Sequence, residues 1–326
     1  MVDADSASAE IADRNYDEKP LLLEVDGRLY DVAKFAKRHP GGEKVMRRAA
    51  GEKADGYMRG EQRLMGVKHE HSEAAYRILS NYAVDGKGGD EDMIDIKKPV
   101  LRQVGHLHDR YWTWIHQPLD SNLRLFQSDL LETFTNTKWF VVPLVWMPLV
   151  IGMGLLGLKS FCDIYGLVYG GGIWGMLFGL GSVAWSLLEY SLHRGVFHWQ
   201  PDPKSRVQIT AHFLIHGIHH KTPMDGLRLV FPPLPAIPIV AFFYFVYKAL
   251  LPWPVFCAFG AGKLFGYVCY DVIHYHLHHG HPAPNSNYHY RKVYHHNHHY
   301  KDGDSAYGIS TNLWDFVFGT VGTGPL

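Results

Sequence analysis

Sixteen of the chain's 22 histidines lie between His193 and His299. They are grouped as His193-x4-His198, His216-x2-His219-His220, His274-x3-His278 and His295-x2-His298-His299. On a helix, residues at i, i+3 and i+4 share a face. Each triplet is therefore expected to aim three imidazoles at one place. Together the clusters supply ten histidines, enough for two metal ions with about five ligands each, and imidazole suits iron, zinc and copper. A purely structural zinc is normally four-coordinate and often uses cysteine. Cys162, Cys257 and Cys269 lie in apolar stretches outside the clusters. Acids near the clusters are few (Glu189, Asp225, Asp271), so histidine takes the ligand roles. His295 competes with His296, and its spacing to His298-His299 favours it. His276, His279, His281, His289 and His296 read as loop or surface residues. His106, His108 and His116 are weaker candidates still.

A second chemistry sits nearer the N-terminus. His39-Pro40-Gly41-Gly42 follows the aromatic turn Tyr30 to Phe35. Proline fixes φ after the histidine, and the glycines let the backbone approach a large planar ligand. A haem iron takes one axial ligand on each face. The second is expected from His69-Glu70-His71-Ser72, with His71 preferred and His69 as the alternative. Two histidines leave no open coordination site, so such a unit carries electrons and does not bind O₂.

These groups need elements to hold them. The chain has 326 residues, with 32 Lys+Arg against 32 Asp+Glu. The balance gives no reason to expect nucleic acid as a partner. The charge is uneven, at −5 over residues 1–96 and +5 over the rest. Residues 1–19 read as a polar tail without a secretory signal pattern. Residues 20–86 read as a small α+β unit, with Asp26-Gly27 as a two-residue hairpin turn and short helices over 33–38, 43–50 and 72–82. Residues 87–138 read as a linker, rich in Gly and Asp at its start, and an aromatic interfacial segment. From residue 139 the chain is apolar. Stretches 139–158, 164–188, 234–251 and 252–273 are candidate membrane spans on length and composition, with a turn over Lys159–Asp163. Four spans put both termini and every clustered histidine on one side.

The first unit resembles the cytochrome b5 family over about residues 20–84. The clusters resemble the membrane fatty acid hydroxylase/desaturase superfamily of histidine-box di-iron enzymes. Within it, the wording resembles the fatty acid 2-hydroxylase family. The matching residues are His193–His198, His212–His220, Arg228–Pro233, Gly266–Tyr275 and Tyr307–Asp315. The resemblance implies a mainly α fold: a cytochrome b5-like unit, then a four-helix membrane domain (139–326) with a helical cytosolic cap. It implies ten metal ligands, His193, His198, His216, His219, His220, His274, His278, His295, His298 and His299, and haem b on His39 and His71. Iron is expected for activity, with zinc as the alternative in a purified sample. His212, part of the family wording, would orient a ligand. Asp271, three residues before His274, would accept a ligand N–H or line the substrate pocket as a catalytic residue.

The implied activity is hydroxylation of a fatty acyl chain at C2, supplying 2-hydroxy fatty acids for sphingolipids. The substrate would be a fatty acid, an acyl-CoA or a ceramide, entering from the bilayer, with Arg228 and Lys221 as candidate headgroup anchors. Breaking an unactivated C–H bond needs a metal with O₂ and two electrons. These would come through the haem from an NAD(P)H-dependent cytochrome b5 or P450 reductase. The expected location is the endoplasmic reticulum membrane, with haem and metals facing the cytosol. A desaturase or sterol oxidase of the same superfamily stays open, as does a non-enzymatic haem electron carrier, which would leave ten patterned histidines unused.

Overall fold

The structure is a computed structural model that describes residues 20–84 and 94–322. The expected tail 1–19 and most of the Gly/Asp-rich linker (85–93) lie outside the described residues.

The first unit opens with a hairpin of β1 (Leu22–Val25) and β2 (Arg28–Asp31), with Val25 opposite Arg28. Asp26 and Gly27 both have positive φ, 49° and 74°. That is the mirror-image turn whose twist matches paired strands. Four short helices follow: α1 (Ala33–Ala36), α2 (Glu43–Ala49), α3 (Asp55–Met58) and α4 (Glu73–Ser80). Leu23, Val25, Tyr30, Val32, Met46 and Leu79 form their common core. One-turn α3 is too short for periodicity to mark.

Much of the aromatic segment after the linker is buried against the rest of the chain. Val104, Tyr111, Trp114, Ile115, Leu123 and Leu125 form one core with Ile209, Phe213 and Ile218. It includes α5 (Leu101–Val104) and α6 (Tyr111–Ile115), packed on α9 (Arg206–His212) and the turn after it. Partners about a hundred residues away bury these rings, and composition alone does not distinguish a protein core from a bilayer surface. Only the stretch around α7 (Asp129–Thr133) keeps exposed apolar side chains, Leu130, Leu131 and Phe134.

Among the described residues, three helical runs are long and apolar enough to cross a membrane: Val141–Phe197, Pro233–Leu250 and Trp253–His279. The first contains α8 (Val141–Leu192), which Gly166 breaks at φ 77° and ψ 166°. In an unbroken helix residues 154 and 174 would stand about 30 Å apart. Here a Cβ on Gly154 would lie 3.8 Å from the Trp174 ring, so α8 is two arms folded back on each other. The reversal falls at Gly166, not at Lys159–Asp163 as the charges suggest. Those two residues form an i,i+4 ion pair of 2.5 Å on the helix surface. They continue the helix, while positive φ at Gly166 turns it. Against α8 pack α11 (Pro233–Leu250) and α12 (Trp253–His279). A Cβ on Gly262 would meet the Phe178 carbonyl at 2.0 Å, and one on Gly181 the Phe259 carbonyl at 2.2 Å. Such close backbone approach is how helices pack where apolar burial adds nothing. Their outer faces show Leu144, Leu167, Val168, Phe242 and Phe245, a surface suited to lipid.

Candidate metal centres

Two short π-helical stretches interrupt the chain beside the histidines, His193–Phe197 and Phe213–Gly217. In the first, His198 N–H donates to the His193 carbonyl at 3.0 Å, five residues back. The wider turn brings an i,i+5 histidine pair onto one face, which a regular α-helix would not do. The remaining clusters ride on α10 (Ile218–Lys221), the end of α12, and α13 (Asn287–Tyr300).

All ten sequence-chosen histidines are buried, and they converge as two groups of five. His193, His198, His216, His220 and His298 form one group; His219, His274, His278, His295 and His299 form the other. Within each, one ring nitrogen per residue lies within 4.8 Å of all the others. The division corrects the expectation that a triplet serves one point. Residues at i and i+4 stay together (His216 with His220, His295 with His299), while His219 and His298 cross to the other group. Adjacent residues project about 100° apart on a helix, so His219-His220 and His298-His299 each straddle two centres. The centres are neighbours: the rings of His220 and His299 are 4.4 Å apart.

The donor set fits a metal pair. Nε2 atoms face one another at 3.2 Å (His198 and His220), 3.0 Å (His216 and His220), 3.0 Å (His219 and His274) and 3.0 Å (His278 and His295). Ligands at right angles on a metal, with bonds of about 2.1 Å, stand about 3.0 Å apart. Backbone carbonyls fix three rings by accepting from Nδ1: Tyr307 from His193 (2.5 Å), Ser305 from His298 (2.6 Å) and Leu229 from His274 (3.2 Å). With the proton on Nδ1, Nε2 carries a lone pair toward the centre. Nε2 of His193 and His298 is buried without a hydrogen-bond partner. Burial, then neighbouring histidines, hold His216, His219, His220, His295 and His299 well below the usual imidazole range. Neutral rings are the ligand form.

Buried carboxylates grip the loops that supply these carbonyls. Glu189 accepts from the N–H of Ile309 (2.9 Å) and Ser310 (2.7 Å) and from the Ser310 hydroxyl (2.5 Å). Asp315 accepts from the N–H of Tyr307 and Gly308, both at 2.9 Å. Asp271 does not take a ligand N–H. It accepts from the Phe231 N–H at 3.3 Å, two residues beyond the Leu229 carbonyl that holds His274.

Other polar residues differ from expectation too. Lys221, 1% exposed, is no headgroup anchor: its Nζ donates to the carbonyls of Gln117 (2.7 Å) and Trp114 (3.1 Å) and lies over the Trp114 ring. Arg228 pairs with Asp225 (2.7 Å) and Glu132. His212 bonds the Tyr111 hydroxyl at 2.6 Å, tying α9 to α6. His296 is buried and bonds the Leu277 carbonyl at 3.1 Å. His116 lies 5.3 Å, ring to ring, from His220. Of these supports, His212, Arg228, Asp271 and the run Tyr307–Asp315 lay in the matching stretches of sequence, whereas Glu189, Lys221, His116 and His296 did not.

In the first unit, the rings of His39 and His71 face each other with centres 6.2 Å apart. An iron between two imidazoles, with bonds of about 2 Å, sets ring centres roughly 6 Å apart. His69 is exposed and its ring lies beside that of His71, so the geometry favours His71. A Cβ on Gly41 would stand 2.9 Å from Cε1 of His39, so glycine there lets the ring sit flat against the turn. Burial, then His71, pushes His39 down to about 4.

Comparison with known proteins follows the same division. Residues 178–320 match the family model described as fatty acid hydroxylase, and residues 7–88 the cytochrome b5-like heme/steroid binding domain. Fatty acid 2-hydroxylase of Rattus norvegicus is 39% identical, covering 90% of this chain and 89% of its own. A dihydroceramide fatty acyl 2-hydroxylase of Arabidopsis thaliana is 43% identical, covering 70% of this chain and 93% of its own. A solved structure titled full-length scs7p, with only the hydroxylase domain visible, has a TM-score of 0.63 at 38% identity. It covers 72% of this chain and 87% of that one.

Proposed function

The chain belongs to the fatty acid 2-hydroxylase family, and from that premise we propose that it is a membrane mono-oxygenase hydroxylating C2 of a fatty acyl chain. The balance is R–CH₂–CO–X + O₂ + 2 e⁻ + 2 H⁺ → R–CHOH–CO–X + H₂O. The product supplies 2-hydroxy fatty acids for sphingolipids. One observation carries the reading: two facing groups of five buried, neutral histidines adjoin a unit with a bis-histidine pair. The first five histidines would hold one metal and the second five the other, iron in the active protein, and His39 with His71 would hold haem b. Bound there, the metals supply O₂ activation and the haem supplies single electrons.

The chain's own residues do the rest. The carbonyls of Tyr307, Ser305 and Leu229 hold His193, His298 and His274 with Nε2 inward. Burial holds His216, His219, His220, His295 and His299 well below the usual imidazole range, which favours the neutral, metal-binding form. Asp271 acts by fixing the 229–231 segment. Tyr270 stacks 6.0 Å from His274, on the side from which α12 leads out of its apolar run. An acyl chain arriving laterally from the bilayer reaches the second group from there. The small and large units are a haem unit (20–86) and a hydroxylase unit (139–326). The reductase is an NAD(P)H-dependent cytochrome b5 or P450 reductase. The membrane is the endoplasmic reticulum, with both sites toward the cytosol. The Arabidopsis relative's name supports a ceramide-linked acyl chain as substrate.

The test is lipid mass spectrometry of cells lacking their own 2-hydroxylase, with and without this chain. New 2-hydroxylated ceramides or fatty acids, absent with His219→Ala, are expected. New double bonds without a hydroxyl would overturn the reaction assigned.

A further inference from the structure

The two units meet at a buried carboxylate. Asp120, from the segment after α6, has a side chain 2% exposed. Both its partners come from the first unit. Arg38 donates to Oδ1 at 2.6 Å, and the Tyr82 hydroxyl donates to Oδ2. Arg38 also reaches the Tyr82 oxygen at 3.3 Å, closing a three-membered group. A carboxylate buried this far requires such partners, and charge pairs across a contact fix its register.

Contacts lead from this group toward both candidate redox sites. On one side, the Tyr82 ring lies 5.6 Å from Phe35, which lies edge-on at 5.9 Å to His39. On the other, Leu119, next to Asp120, donates its N–H to the Lys221 carbonyl at 2.6 Å. Lys221 directly follows His219-His220, and its own ammonium grips the carbonyls of Trp114 and Gln117. The strap 114–120 is thus fastened at one end to the helix bearing ligands of both centres and at the other to the unit bearing His39. A second contact joins α4, which begins just after His71, to α13.

We propose that Asp120 is a positioning residue for electron delivery: with Arg38 and Tyr82 it docks the haem unit on the strap in one orientation. The inference rests on the function proposed above. Each turnover draws two electrons, singly, from ferrous haem, which becomes ferric and is restored by a pyridine-nucleotide-dependent reductase. Electron transfer falls steeply with distance, so a fixed dock replaces a search at the end of a tether.

The test uses the full chain, loaded with haem and metal, in lipid nanodiscs. Amide hydrogen exchange over residues 34–39 and 116–121 reports docking without reference to activity. Stopped-flow absorbance reports reoxidation of prereduced haem when O₂ and substrate are added. Arg38→Ala and Asp120→Asn are expected to speed exchange in both segments and slow reoxidation, each by about tenfold, with the haem spectrum unchanged. The exchanged pair, Arg38→Asp with Asp120→Arg, is expected to restore both to within about threefold. Wild-type exchange and reoxidation in the single variants would overturn the dock and leave a free tether. That is the arrangement to be distinguished, since only the hydroxylase domain is visible in the solved relative. If wild-type chain protects both segments yet makes no 2-hydroxy product, the proposed reaction and the electron-delivery role fall. If product forms normally in the undocked variants, only the dock's role falls.

Discussion

Around His193, His198, His216, His220 and His298, the support comes from the C-terminal loop and is dense. Glu189 and Asp315 together hold four backbone N–H groups of residues 307–310, at 2.7–2.9 Å. Around His219, His274, His278, His295 and His299, it comes from residues 229–231 and is sparse. One carboxylate, Asp271, holds one N–H at 3.3 Å, and the His274 contact to Leu229 is 3.2 Å. The first centre is braced by Glu189, near the end of the first apolar run, and by Asp315. The second is braced against the chain leading into the apolar runs. A stiff brace fixes ligand geometry, whereas a looser one lets it adjust. Sharing α10 and α13 couples the two, so neither is a separable module.

The largest effects should come from removing a ligand of either centre. His298→Ala or His274→Ala should cut product by at least about 100-fold, beyond what supporting residues cost. Metal analysis should find one ion lost first, from the centre the residue serves; simultaneous loss of both would break the distinction. Glu189→Ala should come next. Freeing the 309–310 backbone should weaken the first centre's metal affinity by about 10- to 100-fold, read by competitive chelation, and leave the second nearly intact. Lys221→Met tests the sharing. The helix it fastens carries ligands of both groups, so both ions should be held less tightly, with a loss of about 2 kcal/mol in unfolding stability. Asp271→Asn keeps an acceptor for Phe231 N–H. It should change affinity at the second centre by less than about tenfold and act more on KM than on metal content.

The smallest effect concerns His212, which ties α9 to α6. Burial lowers His212 to about 4, while the unfolded chain takes up its proton near 6.5. The unfolded state therefore binds more protons between those values. Stability is full above pH 6.5 and falls as pH drops toward 4. Thermal melts from pH 7 to 5 should show a shallower decline for His212→Gln than for the parent, and equal slopes would rule out this titration.

How much was legible differs from residue to residue. The hairpin turn at Asp26-Gly27 could be read because both positions need positive φ, a local property. The ten histidines could be chosen because their spacing is a local pattern. The turn at Lys159–Asp163 misled, because charges in an apolar stretch can pair along a helix, while Gly166 looks like many other glycines there. Tyr111 and Trp114 misled because aromatic rings suit a bilayer surface and a protein core equally. Lys221 and Arg228 looked like free cations because nothing local announces the carbonyls and carboxylates that hold them.

By itself the sequence determined the chemistry available: imidazoles in number for two metals, a histidine pair suited to a planar ligand, and apolar lengths suited to a bilayer. Those follow from residue type and from periods of a few residues, which the backbone geometry imposes on any chain. Only the tertiary structure decided that His219 and His298 cross between groups, that Glu189 and Asp315 grip one loop, and that Asp120 meets Arg38. Each depends on which distant segments become neighbours, and that is settled by packing over the whole chain, not by any local preference.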